Sequence, residues 1–110
     1  MKIKIKDKEV ELKYMFKPEM YFETAAEKPF KGELTTDWIL MFFSYIIATE
    51  GDGFIGYEEF IDYLSDNPLE LYEFIYWYTE QMTNINDLRV RMLEGKMTGT
   101  GTTGALKKAK

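Results

Sequence analysis

The residues whose spacing most resembles a chemical site lie between Ala48 and Phe60, in ATEGDGFIGYEEF. Glu50, Asp52 and Glu59 supply carboxylates, and Gly53 stands among them. A calcium loop between two helices needs oxygen ligands at alternate positions, a glycine at its sharp turn and a bidentate carboxylate at its end. Counted from Ala48, Glu50 is third, Asp52 fifth, Gly53 sixth, Ile55 eighth and Glu59 twelfth. The first position, Ala48, and the ninth, Gly56, carry no side-chain oxygen. No second loop of this kind is present to pair with it. Too few oxygens remain for an ion that takes about 6–8 of them. A Gly-Asp-Gly turn between two helices accounts for the same letters, so no metal ligand is assigned.

Other site chemistry is equally restricted. The 110 residues contain no His and no Cys. That removes the commonest general base, the commonest transition-metal ligand, thiolate sites and disulfides. Two carboxylates in a cleft can act as acid and base. Here, however, the acids are spread along helix faces, with no glycine-rich phosphate loop beside them. No catalytic and no cofactor-binding residue is assigned.

Charge is divided along the chain. Residues 1–31 carry a net +2, residues 32–88 carry twelve acids and no Lys or Arg, and residues 89–110 carry +5. An acidic centre argues against a phosphate-backbone ligand for the folded part. It suits a basic protein partner, or self-association of copies stacked end to centre. The longest apolar run, 38–48, is about half the ~20 residues of a membrane-spanning helix. MKIKIKDKEVELK has no apolar run, which argues against a signal peptide. A soluble, cytoplasmic protein without nucleic-acid or membrane partners is expected.

The elements that would hold these residues read as α+β: an N-terminal β-hairpin followed by a mainly helical bundle of about four helices. KIKIK and EVELKY alternate strictly, as half-buried strands do. A two-residue turn at Asp7-Lys8 would set Ile5 opposite Val10 and Ile3 opposite Leu12, with Lys6 opposite Glu9 and Lys4 opposite Glu11 outside. A short helix is expected over 18–27, started by Pro18 with a Phe16–Tyr21 staple and stopped before Pro29. Every residue from Trp38 to Ala48 except Ser44 is apolar. A helix over about 35–49, capped by Thr35 or Thr36, should therefore be the buried centre.

A third helix, about 57–65, would turn Phe60, Ile61 and Leu64 inward and Glu58, Asp62 and Asp66 outward. Asn67-Pro68 restarts the chain as a fourth helix. Either one helix to Gly95 or a break near Asn84–Asn86 fits the period. Tyr72, Ile75 and Tyr78 are expected in the core, which would leave Phe74 and Trp77 for a contact surface. A single domain over 1–94 and a flexible Gly/Thr/Lys tail over 95–110 complete the reading.

In the order of its parts the chain resembles the tail assembly chaperones of long-tailed bacteriophages. KIKIKDKEVELKY as an opening hairpin, the short FKPEMYFETAAEKPF helix, the aromatic acidic helices and the lysine-ended tail carry the likeness, over about residues 1–95. The resemblance implies a non-enzymatic protein that coats the tape measure protein before the tail tube polymerises around it. In that family a programmed frameshift often adds a C-terminal extension that engages tube subunits. The resemblance assigns no functional residue. Two other classes give different expectations. A degenerate EF-hand-like calcium-binding protein would gain stability from the metal. An acidic DNA mimic would bind a DNA-binding protein in a salt-sensitive way.

Overall fold

The computed structural model describes residues 1–99. Two strands, β1 (Lys2–Ile5) and β2 (Lys8–Glu11), precede four helices: α1 (Lys17–Ala26), α2 (Thr35–Glu50), α3 (Tyr57–Asp66) and α4 (Pro68–Gly99). This is the expected α+β order. One compact unit spans Met1–Tyr78, and a second begins at Thr79.

The strands form an antiparallel hairpin in a register two residues away from the expected one. Ile3 faces Val10, Lys4 faces Glu9, Lys2 faces Glu11, and Ile5 faces Lys8. The turn is Lys6-Asp7, not Asp7-Lys8. Both residues sit at positive φ, 54° and 61°. That is the geometry of a turn whose twist matches the flanking strands, and Asp tolerates it better than most residues. The observed register also lets the chain start join the ladder. The Leu12 N–H donates to the Met1 carbonyl at 2.7 Å, and the Met1 amino group donates to the Leu12 carbonyl at 3.0 Å. A shift of two preserves the faces. Ile3, Ile5, Val10 and Leu12 are all buried, as their alternation requires.

Helix α1 begins with Pro18 in its first turn and ends at Glu27, which takes a left-handed conformation. The expected Phe16–Tyr21 staple does not form. Phe16 is exposed and meets the Tyr14 ring edge-on, while Tyr21 lies beneath the Lys17 ammonium. Pro18 and Phe22 are the residues that α1 buries completely.

Helix α2 is the centre of the Met1–Tyr78 unit. It lies against β2, α1 and α3. Met41, Phe42, Tyr45 and Ile46 have no exposed surface. Neither Thr35 nor Thr36 caps it. Leu34 occupies the cap position in an extended conformation, without a side-chain bond. Asp37 replaces the hydroxyl cap: it is nearly buried in the first turn, favourable for the helix dipole, and pairs with Lys28 at 3.0 Å. Just before α2, the Trp38 indole N–H donates to the Gly32 carbonyl at 3.1 Å. Gly32 has φ +68°, and a Cβ there would stand 2.9 Å from the Trp38 ring. Only glycine satisfies both conditions at once.

Rings fill the core. Phe42 stacks on Phe74 with centroids 4.4 Å apart and planes 3° from parallel, and it receives the edge of Phe60 at 5.1 Å. Phe30 meets Trp38 and Phe22 edge-on at 4.9 and 5.1 Å. Such offset and edge-to-face pairs contribute about 0.5–1.5 kcal/mol each beyond their burial.

Helix α4 shows where the sequence reading chose the wrong helical phase. Leu71, Phe74 and Tyr78 are buried, whereas Tyr72 is 66% exposed. Phe74 is thus a core residue rather than a surface anchor, and Trp77 is half-buried with its ring centroid 5.4 Å from that of Tyr45, edge to face. The helix has no break at Asn84–Asn86 and runs through Gly95 to Gly99. A lone glycine costs a helix about 1 kcal/mol and does not end it when no proline follows. The remainder of the expected tail, 100–110, lies outside the described residues.

Candidate functional site

The calcium-like segment is the first place to look for chemistry, and the fold disperses its carboxylates. Thr49 and Glu50 are still in the last turn of α2. Gly51 and Gly53, at φ 102° and 89°, then turn the chain toward α3. Glu50 forms an ion pair with Lys8 of the hairpin. Glu59 is turned back to the α3 start, 3.5 Å from the Gly56 N–H, and lies 3.8 Å from Lys6. Lys6 also donates to the Phe54 carbonyl at 2.8 Å. Lys6 in the hairpin turn and Lys8 just after it therefore pair with Glu59 and Glu50, two of the three acids a metal would need. Among the described residues no group of three or more acidic side chains converges. Millimolar calcium should leave the melting temperature unchanged relative to a chelator, because no ligand set is preformed. A rise of several degrees would revive a metal site.

Burial raises the phenols of Tyr14, Tyr45, Tyr57, Tyr63 and Tyr78, and three of these hydroxyls are hydrogen-bonded. Tyr63 on α3 places its hydroxyl 2.8 Å from the Lys4 carbonyl and 2.5 Å from Glu70 Oε1. Burial, then the bond to Glu70, holds this phenol well above its ordinary range. Tyr78 donates to Glu19 at 3.0 Å, and burial, followed by the Glu19 charge, raises its phenol too. Tyr45 is raised mainly by burial, with its hydroxyl 3.4 Å from the Met15 carbonyl. Each of these groups ties one element to another. Their partners are carbonyls and carboxylates outside their own helices, so they read as fold-holding bonds.

What stands free is a surface. On the first turns of α4, Leu69, Tyr72 and Tyr76 are 73%, 66% and 72% exposed. Their spacing of three and four puts them on one face, opposite Leu71, Phe74 and Tyr78. Glu73 is exposed on the same face. At the α3–α4 corner an open depression of about 440 Å³ is lined by Asp66, Asn67, Pro68, Leu69, Glu70 and Glu73. On α3, Glu58, Asp62 and Asp66 are all exposed, as expected. The fold therefore presents a mixed acidic and aromatic face with no basic residue in its own stretch of chain, since none occurs over 32–88.

The exposed rings lie one helical phase away from the expected Phe74 and Trp77. A signal for Tyr76 was present in its helical neighbours. Glu73 and Glu80 lie three and four residues either side of it, whereas Phe74 has one acid, Glu70, and three apolar or aromatic residues, Leu71, Trp77 and Tyr78, at those distances.

These described residues define a small α+β module that exposes an acidic and aromatic face. No family model matches the chain, and no curated protein and no solved structure matches it either. Among the described residues no helix is long and apolar enough to cross a membrane.

Proposed function

We propose that this protein is a non-enzymatic assembly chaperone of the bacteriophage tail type, which binds a long helical partner, the tape measure protein, in the host cytoplasm. The observation that carries the reading is the exposed Leu69, Tyr72 and Tyr76 stripe among acids. Amphipathic helices are held by apolar anchors spaced three and four apart, and basic flanks on a partner would meet Glu73, Asp66 and Asp62. Aromatic side chains are the usual high-energy positions of such contacts, while rim charges set encounter rate and specificity. Holding a long helix before assembly requires no bond making, which agrees with a face in place of a cleft.

Co-expression with a tape measure protein tests this. The wild-type chain should co-purify with it at low salt and less well at high salt. Tyr72→Ser with Tyr76→Ser should weaken capture at least about tenfold, as loss of two anchors does. Both side chains are exposed, so the fold should persist. A wild-type chain that does not retain the tape measure protein at low salt would remove this function.

A further inference from the structure

The second unit displays another uncovered stripe. Within residues 79–94 of α4, Ile85, Leu88, Val90, Met92 and Leu93 are 42%, 55%, 52%, 59% and 53% exposed, with Val90 on the opposite side from Ile85, Leu88 and Met92. Ile85, Leu88 and Met92 follow the spacing of three and four that places side chains on one helical face. Arg89 and Arg91, both exposed, stand beside them. They are the first basic residues after Lys31, and they open a stretch, 89–110, with six basic residues and one acid. An amphipathic helix that shows its apolar face lacks the burial from which most helical stability comes.

We infer that this Ile85–Leu88–Met92 stripe docks on the Leu69–Tyr72–Tyr76 face of a second copy of the chain, joining copies head to tail. The two surfaces are complementary in both respects that matter. Each offers apolar side chains at helical spacing, one set among acids and the other beside arginines. Arginine adds attraction to exposed tyrosine rings as well as to Glu73. Pairing the stripe with the same stripe of another copy is less favourable. A two-fold contact centred on Leu88 would bring two Arg89 side chains together, and like charges at an interface oppose binding. Every chain carries one stripe and one face, so the contact is heterologous and can repeat into rings or open chains. The inference rests on the proposed use of the tyrosine face. It adds that the face is covered by a copy until the helical partner displaces it.

Sedimentation velocity of the full chain at low salt, over a range of concentrations, tests it. Wild type should associate with rising concentration. A face variant, Tyr72→Gln with Tyr76→Gln, and a stripe variant, Leu88→Ser with Arg89→Glu, should each self-associate at least about tenfold more weakly. Mixed in equal amounts, they should form one-to-one dimers, because the stripe of the first meets the face of the second. That rescue also shows that both variants are folded. The inference is overturned by a wild type that stays monomeric, by either variant associating as wild type does, or by a mixture that stays monomeric. A monomeric wild type that still captures the tape measure protein would end this inference alone and leave the proposed function standing.

Discussion

Replacing Phe74 with alanine should unfold much of the Met1–Tyr78 unit at temperatures where the wild-type chain is native. Phe74 is fully buried, stacks on Phe42 at 4.4 Å and is approached by the rings of Tyr45 and Trp77 at 5.5 and 5.9 Å. A buried phenylalanine cut to alanine typically loses about 3–5 kcal/mol through lost burial and the cavity left behind. Against a total stability of about 5–15 kcal/mol, that is a large fraction. For a unit of this size each kcal/mol moves the midpoint by about 4–8 °C, so a fall of at least about 12 °C is expected. Tyr72→Ala, two residues away in the same helix, should shift it by only a degree or two, since that ring is 66% exposed. Thermal melting of the two variants side by side decides the helical phase of α4 in solution. Equal effects, or a larger effect at Tyr72, would contradict the packing described above.

The second large effect is a loss of stability in alkali. The phenols of Tyr45, Tyr63 and Tyr78 are all raised above their ordinary range in the folded chain, each with burial as the largest cause. In the unfolded chain they ionise at about pH 10. The folded state thus keeps protons that the unfolded state releases. The stability due to this difference is fully present below about pH 10, and it declines as pH rises from there through the folded-state values. Without histidine, the chain has no side chain that ordinarily titrates near pH 6–7. Denaturant midpoints should therefore change little from about pH 7 to 9 and fall steeply above about pH 10. Phenolate absorbance should rise in step with the loss of helical signal. Tyr78→Phe should flatten the alkaline slope, although it also leaves Glu19 without its phenol partner. Midpoints unchanged up to about pH 12 would show that these hydroxyls are not held in solution as described.

The two effects bear on how much of the molecule could be read before its fold was known. The hairpin faces were legible because side-chain direction alternates along a strand and depends on nothing distant. Its register was not, because the turn could close at Lys6-Asp7 or Asp7-Lys8 with the same faces inward. The outcome depended on which pair adopts positive φ and on Met1 reaching Leu12. The exposed aromatic face lies on the expected helix but on rings other than Phe74 and Trp77. Between Tyr72 and Tyr78 six of the seven residues are apolar or aromatic, so that segment by itself allows several buried stripes.

The chain by itself determined the order of elements, the central place of α2 and the breaks at Pro29, Gly51-Asp52-Gly53 and Asn67-Pro68. Those features follow from backbone sterics and apolar runs that act within a few residues of their origin. Only the tertiary structure decided which aromatic rings of α4 are covered, because that depends on the shape of the opposing surface. Phe42 presents a flat ring to which Phe74 is parallel within 3°, and this stacking selects the Leu71–Phe74–Tyr78 phase and leaves Leu69, Tyr72 and Tyr76 outside. The same is true of the charges. Lys6, Lys8 and Lys28 reach Glu59, Glu50 and Asp37 across 53, 42 and 9 residues of chain, distances over which local spacing carries no information and only packing brings charges together.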